Sequence, residues 1–486
     1  MFAENQHHLK KEIGLMDATL LVIGSMIGSG IFIVAADIIR HTGSAGWFIA
    51  VWVIGGIMTL IAAVSYGELS GMYPKAGGQY VYLKEAYNPL VAFVYGWSLF
   101  AVIQTGTIAA VGVSFLKFFA YFVPVVSEDN ILFSLGNFKV SAAQVFAILL
   151  IFLLTWINTR GVKLGKIIQS VFTSTKVLTI GGLILFGFIL LKPDVWNYNW
   201  TNAWKFSSLD VNGTYDSYTG WTAVAGALAS ALVGAIMSYE AWNNVTFVAG
   251  EIQNPRKNIG LSLLFGTVLV TLIYVLLNLM FTAVLPIEAI ASPEKDRVGL
   301  AASQAIFGNS GTAIMAILIM IATFGCNNGL ILSGARVYYS MARDGLFFNR
   351  ASRLNSNSVP AFALWIQFAM ASVLCLSGRY GDLLDMITFI AVLFYVLTII
   401  GIFILRVKKP EMARPYKAFG YPYLPILYIL MGVSFCTLLI LYKPSFTWPG
   451  LLIALAGIPI YYWTGRYKES DQSDMVEEEL FHPKNF

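Results

Sequence analysis

The chain has 486 residues, of which 57% are hydrophobic and only 12% charged, against the roughly 25% charge of an ordinary soluble domain. So few charges cannot clothe a soluble body of this length, and a mean hydropathy of +0.71 excludes a soluble enzyme. The net charge of +5 is small, and no basic run with interleaved aromatics marks a nucleic-acid surface.

Residues 1–14 are short and polar and lack the layout of a cleavable leader. They read as a tail ahead of the first apolar run. A bilayer core takes about 20 apolar residues of helix to cross. Twelve such runs begin near Leu15, Gly46, Leu90, Val140, Leu164, Ala223, Ile259, Thr312, Ala361, Leu383, Pro425 and Trp448. Each is apolar around its whole circumference, which marks burial in lipid or bundle. The expectation is an all-α integral membrane protein with twelve transmembrane helices. Lys11, Arg160, Lys163, Lys166, Arg256, Lys257, Arg350, Lys408, Lys409 and Arg414 gather in loops on the side of the N-terminus. The positive-inside rule then puts both termini in the cytoplasm of a multi-pass cell-membrane protein. No Pro/Ser-rich linker divides the chain.

Two spans are interrupted. The first carries Gly24, Gly28 and Gly30 within seven residues, and each weakens a helix by about 1 kcal/mol relative to Ala. The sixth carries polar residues 238–244 (SYEAWNN) inside an apolar run. Breaks at corresponding places in two halves point to an inverted repeat with a site at its interface; the alternative is close glycine packing between helices. If the first span breaks at Gly28–Gly30, the N–H groups of Ser29, Gly30 and Ile31 open a half-helix that attracts a carboxylate. Carbonyls left free at Met26, Met237 and Ser238 suit an ammonium group. Donors facing acceptors across one pocket fit an α-amino acid.

Lys176 lies midway along the fifth span, where a lysine costs about 2.5 kcal/mol or more unless paired or hydrated. It reads as a fixed cation or proton site, or as a cross-link to helix-end carbonyls. Glu240, in the second break, could bind a substrate ammonium, a cationic side chain or a proton, or could pair with Lys176 or a polar residue of the eighth span without touching substrate. Asn327 and Asn328 in the eighth span, with Gln104 and Thr105 in the third, read as helix-to-helix hydrogen-bonding groups. Arg336, further along the eighth span, reads as a bundle or interface charge. Cys326, Cys375 and Cys436 sit in apolar runs without ligand spacing and read as packing residues. His7, His8, His41 and His482 form no metal or triad pattern. No phosphate loop, metal site or cofactor motif is present. Asn199-Trp200-Thr201 and Asn212-Gly213-Thr214 match the glycosylation pattern.

Residues 24–32 (GSMIGSGIF), 66–69 (YGEL), 74–80 (PKAGGQY), 239–243 (YEAWN), 250–255 (GEIQNP) and 341–345 (MARDG) resemble, in order, the motifs of the amino acid–polyamine–organocation superfamily. The L-type amino acid transporter branch is the nearest in pattern. The resemblance implies a LeuT-like fold of five plus five inverted helices with two appended. Residues 15–191 and 192–406 would form the repeats, 407–467 the appended pair, and 468–486 a cytoplasmic tail. It implies alternating access, often as exchange of L-amino acids, with no cofactor. The carboxylate would be held at Ser29 and Gly30, and the amine at Met26, Met237 and Ser238. Lys176 would stand in for a sodium ion. Met237 falls where relatives often place an aromatic gate. Glu240 falls where several neutral-selective relatives have glycine, which leaves cationic substrates open. The loop 124–139 has no cysteine, so no disulfide-linked heavy chain is expected.

Overall fold

The computed structural model describes residues 9, 11–136, 138–377 and 380–481. Lys10, His7, His8 and His482 fall outside the described residues. The chain is helical almost throughout, and local chemistry sets the ends of its elements. Helix α1 (Leu15–Met26) stops short of the glycines, and α2 (Gly30–Thr42) resumes at an angle of 44°. Gly43, at φ 61°, closes α2 in the left-handed region, where a glycine carries no Cβ penalty. Helix α3 (Ala45–Met72) is followed by the short α4 (Gln79–Ala86).

The third span starts at α5 (Pro89–Ser98), where Asn88 caps the Val91 amide. It passes through one π turn, Leu99–Ile103, into α6 (Gln104–Phe119). A hairpin of β1 (Ile131–Leu135) and β2 (Phe138–Ser141) leads to α7 (Ala142–Thr159), which opens with a Ser141/Gln144 capping box. Next come α8 (Val162–Ile189), α9 (Pro193–Thr201) and a small pair, β3 (Ser208–Leu209) with β4 (Tyr215–Asp216).

Helix α10 (Trp221–Ser238) ends at the polar stretch, and after a turn α11 (Asn244–Phe247) follows. The remaining elements are α12 (Pro255–Val284), α13 (Ile287–Ala291), α14 (Val298–Arg343), α15 (Ala361–Ser377), α16 (Tyr380–Lys408), α17 (Tyr423–Tyr442) and α18 (Pro444–Phe481). Helix α14 is kinked at Gly308, which has φ 70°.

Among the described residues, nine helices are long and apolar enough to cross a membrane, and the bent pair α1–α2 makes a tenth. The chain is a multi-pass integral membrane protein. The run near Ala361 is a shorter apolar helix. Leu149, Phe152, Leu178, Phe265 and Leu272 point outward, which is the arrangement expected where the solvent is lipid. Helix α12 packs along α1 and α3, and α14 crosses α6 and α8.

Polar residues secure the ends of the bundle. Glu68, buried on α3, accepts from Arg406 at 3.0 and 2.7 Å and from the Ala418 amide at 2.7 Å. This ties the α16–α17 connection to the first half of the chain. Arg336 of α14 donates to Glu251 at 2.9 Å, and both side chains are fully buried. Glu251 also offers its carbonyl to the Ile13 amide at 3.0 Å, and Ile13 accepts from the Gln253 amide at 2.9 Å. The segment before α1 is thereby paired to the exit of α11. Asn199 is buried, and its amide donates to the Thr282 and Leu285 carbonyls at 2.8 and 2.9 Å. It serves as a structural strut in this fold, not as an exposed acceptor for sugar. Cys326, Cys375 and Cys436 are free and buried.

Removing one partner of a buried ion pair strands a charge, at about 3–5 kcal/mol. Arg336→Met is expected to lower the unfolding midpoint of the detergent-purified protein sharply. Arg336→Met combined with Glu251→Gln recovers part of that loss, because no unpaired charge remains. Thermal unfolding of the two variants beside the wild type checks this.

Candidate functional site

The two interruptions meet. Helix α1 ends at Met26, α2 starts at Gly30, and Ile27, Gly28 and Ser29 lie between. On the other side, α10 ends at Ser238 and the chain turns through Ala241 at φ 68°. A left-handed alanine carries a strain of about 1 kcal/mol or more, and it sits within the break, three residues past the end of α10. The backbones approach closely: a side chain on Gly30 would lie 3.0 Å from Ser238 Oγ. A side chain on Gly24 would lie 2.0 Å from Gln169 Nε2 and 2.2 Å from Thr173 Oγ1. A side chain at either position would force residues of the neighbouring helix to shift.

Between the breaks is a small cavity. Met26, Gly28, Ser29, Gly30, Met237, Ser238 and Glu240 border it, with Ser25 and Cys326. Of the residues singled out from sequence, Ile31 and Lys176 do not line it. Ile31 is fully buried. The N–H groups of Ser29, Gly30 and Ile31 make no hydrogen bond among the described residues. They are the open first turn of α2, with the positive end of its dipole.

Lys176 lies behind the first break. Its Nζ donates to the Gly24 carbonyl at 2.8 Å and to the Ile27 carbonyl at 2.6 Å. Those carbonyls lose helical partners where α1 ends, and the ammonium replaces them. Gln169, Thr173 and Lys176 form one buried polar face of α8, at helical spacing. The Cys326 thiol donates to the Ser25 carbonyl at 3.0 Å.

A residue not foreseen from sequence joins the two breaks. The Tyr274 hydroxyl, on α12, lies 2.9 Å from the Met26 carbonyl and 3.0 Å from the Ser238 carbonyl. One tyrosine in an apolar helix gives no signal of this. The Glu240 carboxylate meets the Tyr395 hydroxyl of α16 at 2.5 Å, while Lys176 is engaged with carbonyls instead. Asn243 Nδ2 donates to Gln79 Oε1 at 2.9 Å, and Gln79 Nε2 donates to Thr398 at 3.1 Å.

The other candidates are structural. Asn328 accepts from Asn158 at 2.9 Å, and Gln104 donates to the Leu330 carbonyl at 2.8 Å. Thr105 bonds within its own span, to Phe100 at 2.6 Å. Asn327 is buried without a partner among the described residues.

A multi-pass bundle whose broken helices enclose a small cavity of main-chain donors and acceptors has the form of a solute transporter. The chain belongs to the amino acid permease family, which it matches over residues 13–463; it is a transporter and not an enzyme. It is 29% identical over 458 residues to the Asc-type amino acid transporter 1 of Mus musculus, covering 93% of this chain and 81% of that protein. It is 30% identical over 465 residues to the serine/threonine exchanger SteT of Bacillus subtilis (strain 168), covering 95% and 98%. It is 28% identical over 470 residues to the b(0,+)-type amino acid transporter 1 of Homo sapiens, covering 95% and 89%.

Tyr274→Phe removes the bridge and leaves the ring. It is expected to slow amino acid uptake by about tenfold and to cost about 1 kcal/mol of stability. Uptake into proteoliposomes, normalised to inserted protein, measures the first effect and thermal unfolding the second.

Proposed function

We propose that this permease is a sodium-independent exchanger of neutral L-amino acids, working by alternating access in the cell membrane. The observation that carries the reading is Lys176. Its ammonium, 2.8 and 2.6 Å from the carbonyls of Gly24 and Ile27, supplies a positive charge at the first break without a metal cation. The substrate carboxylate docks on the free N–H groups of Ser29, Gly30 and Ile31. Its ammonium is placed among the carbonyls of Met26, Met237 and Ser238. The Met26 carbonyl already accepts from the Gly28 amide at 3.0 Å and the Met237 carbonyl from the Glu240 amide at 3.2 Å, whereas the Ser238 carbonyl has only Tyr274 and keeps a lone pair for the ammonium. Met237 lies over the cavity as a flexible lid in place of an aromatic one.

The frame that goes with this reading is LeuT-like, with twelve spans and repeats over 15–191 and 192–406. The appended pair is 407–467, and the tails 1–14 and 468–486 are cytoplasmic. In such a frame the halves rock about the fixed site. The names of the relatives favour exchange: the Bacillus subtilis protein is called a serine/threonine exchanger. A second reading, proton-coupled symport, draws support from Glu240, a buried carboxylate that hydrogen-bonds to Tyr395 instead of pairing with Lys176.

The readings separate in proteoliposomes. Exchange predicts uptake of a labelled neutral amino acid that rises with unlabelled amino acid inside and is unchanged when sodium is replaced by choline. Uptake that requires an inward proton gradient and ignores the internal amino acid contradicts exchange and selects symport. Lys176→Ala is expected to reduce uptake by at least about tenfold, the order of a lost charged hydrogen bond. Near-normal flux in a well-inserted Lys176→Ala protein would refute the role given to Lys176.

A further inference from the structure

The connection between α6 and α7 is strongly apolar. Residues 131–136 (ILFSLG) carry no charge, and all five residues of β1 are exposed. Leu135 is 71% exposed, and Val125, in the turn before the hairpin, 68%. Successive residues of a strand point to opposite faces, so Leu132 and Phe133, both exposed, leave neither face of β1 covered. Among the described residues β1 pairs with β2 alone. In water a lone two-stranded hairpin is marginal, and an apolar one with open edges invites aggregation.

The dimensions of α7 say what covers it. Its 18 residues span about 27 Å at a rise of about 1.5 Å each, short of the roughly 30 Å hydrocarbon layer. Near its far end Trp156 is exposed, and the Arg160 guanidinium lies 4.6 Å from its ring. An aromatic and a cation together mark a membrane–water boundary. From Trp156 back to Ala142 is about 21 Å, which leaves about 9 Å of apolar layer beyond Ala142. There β2 joins α7 without a linker, since Ser141 is the helix N-cap. Phe146, Leu149 and Leu153 expose the outer face of α7 to lipid, and the hairpin is its direct continuation in the chain.

We propose that the β1–β2 hairpin is a membrane anchor, seated at the boundary between the acyl chains and the headgroups. Because both faces of β1 are apolar, the hairpin stands among the lipids instead of lying flat on them. Phe133 pairs with Val140 and Ser134 with Lys139, so only the outer edges of the strands call on the water of the headgroup layer. Lys139, exposed on β2, extends its ammonium to the phosphates. The anchor makes up the length that α7 lacks and fixes the start of that helix against the bilayer. A second copy of the chain is a poorer occupant, because apolar surfaces gain no hydrophobic drive by meeting each other in lipid.

The full chain in lipid vesicles tests this. Leu132→Cys and Leu135→Cys, one at a time, carry a nitroxide. Its collisions with oxygen, which concentrates in lipid, are compared with its collisions with a water-soluble nickel chelate. Leu149→Cys is the lipid reference, and Asn212→Cys, in an exposed polar turn, is the aqueous one. The native cysteines are buried, and wild-type protein carried through the labelling sets the background. The oxygen-to-nickel ratios at both hairpin sites are expected to match Leu149 and to lie several-fold above Asn212. Ratios equal to that of Asn212 overturn the anchor. Few collisions with either reagent overturn it too, because a protein surface then covers the hairpin. The unsubstituted protein gives a second readout. In vesicles containing a lipid with a photoreactive group at headgroup depth, the peptide that holds residues 131–135 is expected to carry lipid adducts. Adducts on α7 with none on that peptide also overturn the anchor.

Discussion

An unpaired main-chain amide or carbonyl is hard to keep inside a bilayer, because no water is there to bond it. This protein has two such breaks side by side at the middle of its bundle, and the rest of the structure is arranged around them. The carbonyls freed at the first break are taken by the ammonium of Lys176. Those freed at Met26 and Ser238 share the hydroxyl of Tyr274. The amides of Ser29, Gly30 and Ile31 make no hydrogen bond among the described residues, and Ser29 and Gly30 line the cavity. The site thus has its acceptors braced and its donors free, which is the polarity that a carboxylate requires.

The bracing also couples the halves of the chain. Lys176 belongs to α8 and reaches back to the first break. Tyr274 belongs to α12 and touches both breaks at once. Any motion that separates α1 from α10 must change the bonds of that hydroxyl. Glu240 borders the central cavity, a small pocket beside Gln79 and a third beside Trp242. A single carboxylate therefore borders all three of these spaces. At the end of the bundle that carries α11, the Arg336–Glu251 pair joins α14 to the exit of α11, and Glu68 joins α3 to the α16–α17 connection.

Much of this was legible in the amino-acid order. Glycines clustered at 24–30 and polar residues at 238–244, each inside an apolar run, located both breaks. A lone lysine at membrane depth marked Lys176 as a residue with a special partner. The partners themselves were hidden. Tyr274 and Tyr395 lie in helices where a tyrosine reads as ordinary bulk, and their roles depend on how helices remote in sequence pack. For the same reason Glu240, whose pairing with Lys176 stood open on sequence grounds, meets α16 instead. The π turn at Leu99–Ile103 leaves no mark in periodicity, because one extra residue shifts an all-round apolar helix without a visible change of face.

The central claim is that the open amides at the start of α2 hold a carboxylate. The most direct measurement is the affinity of the purified protein for a neutral L-amino acid and for its methyl ester, by calorimetry in one detergent. The ester keeps the amine and side chain and loses the charge. The account predicts that the ester binds at least about tenfold more weakly, the order of a lost charged hydrogen bond. Equal affinity for the two would contradict it.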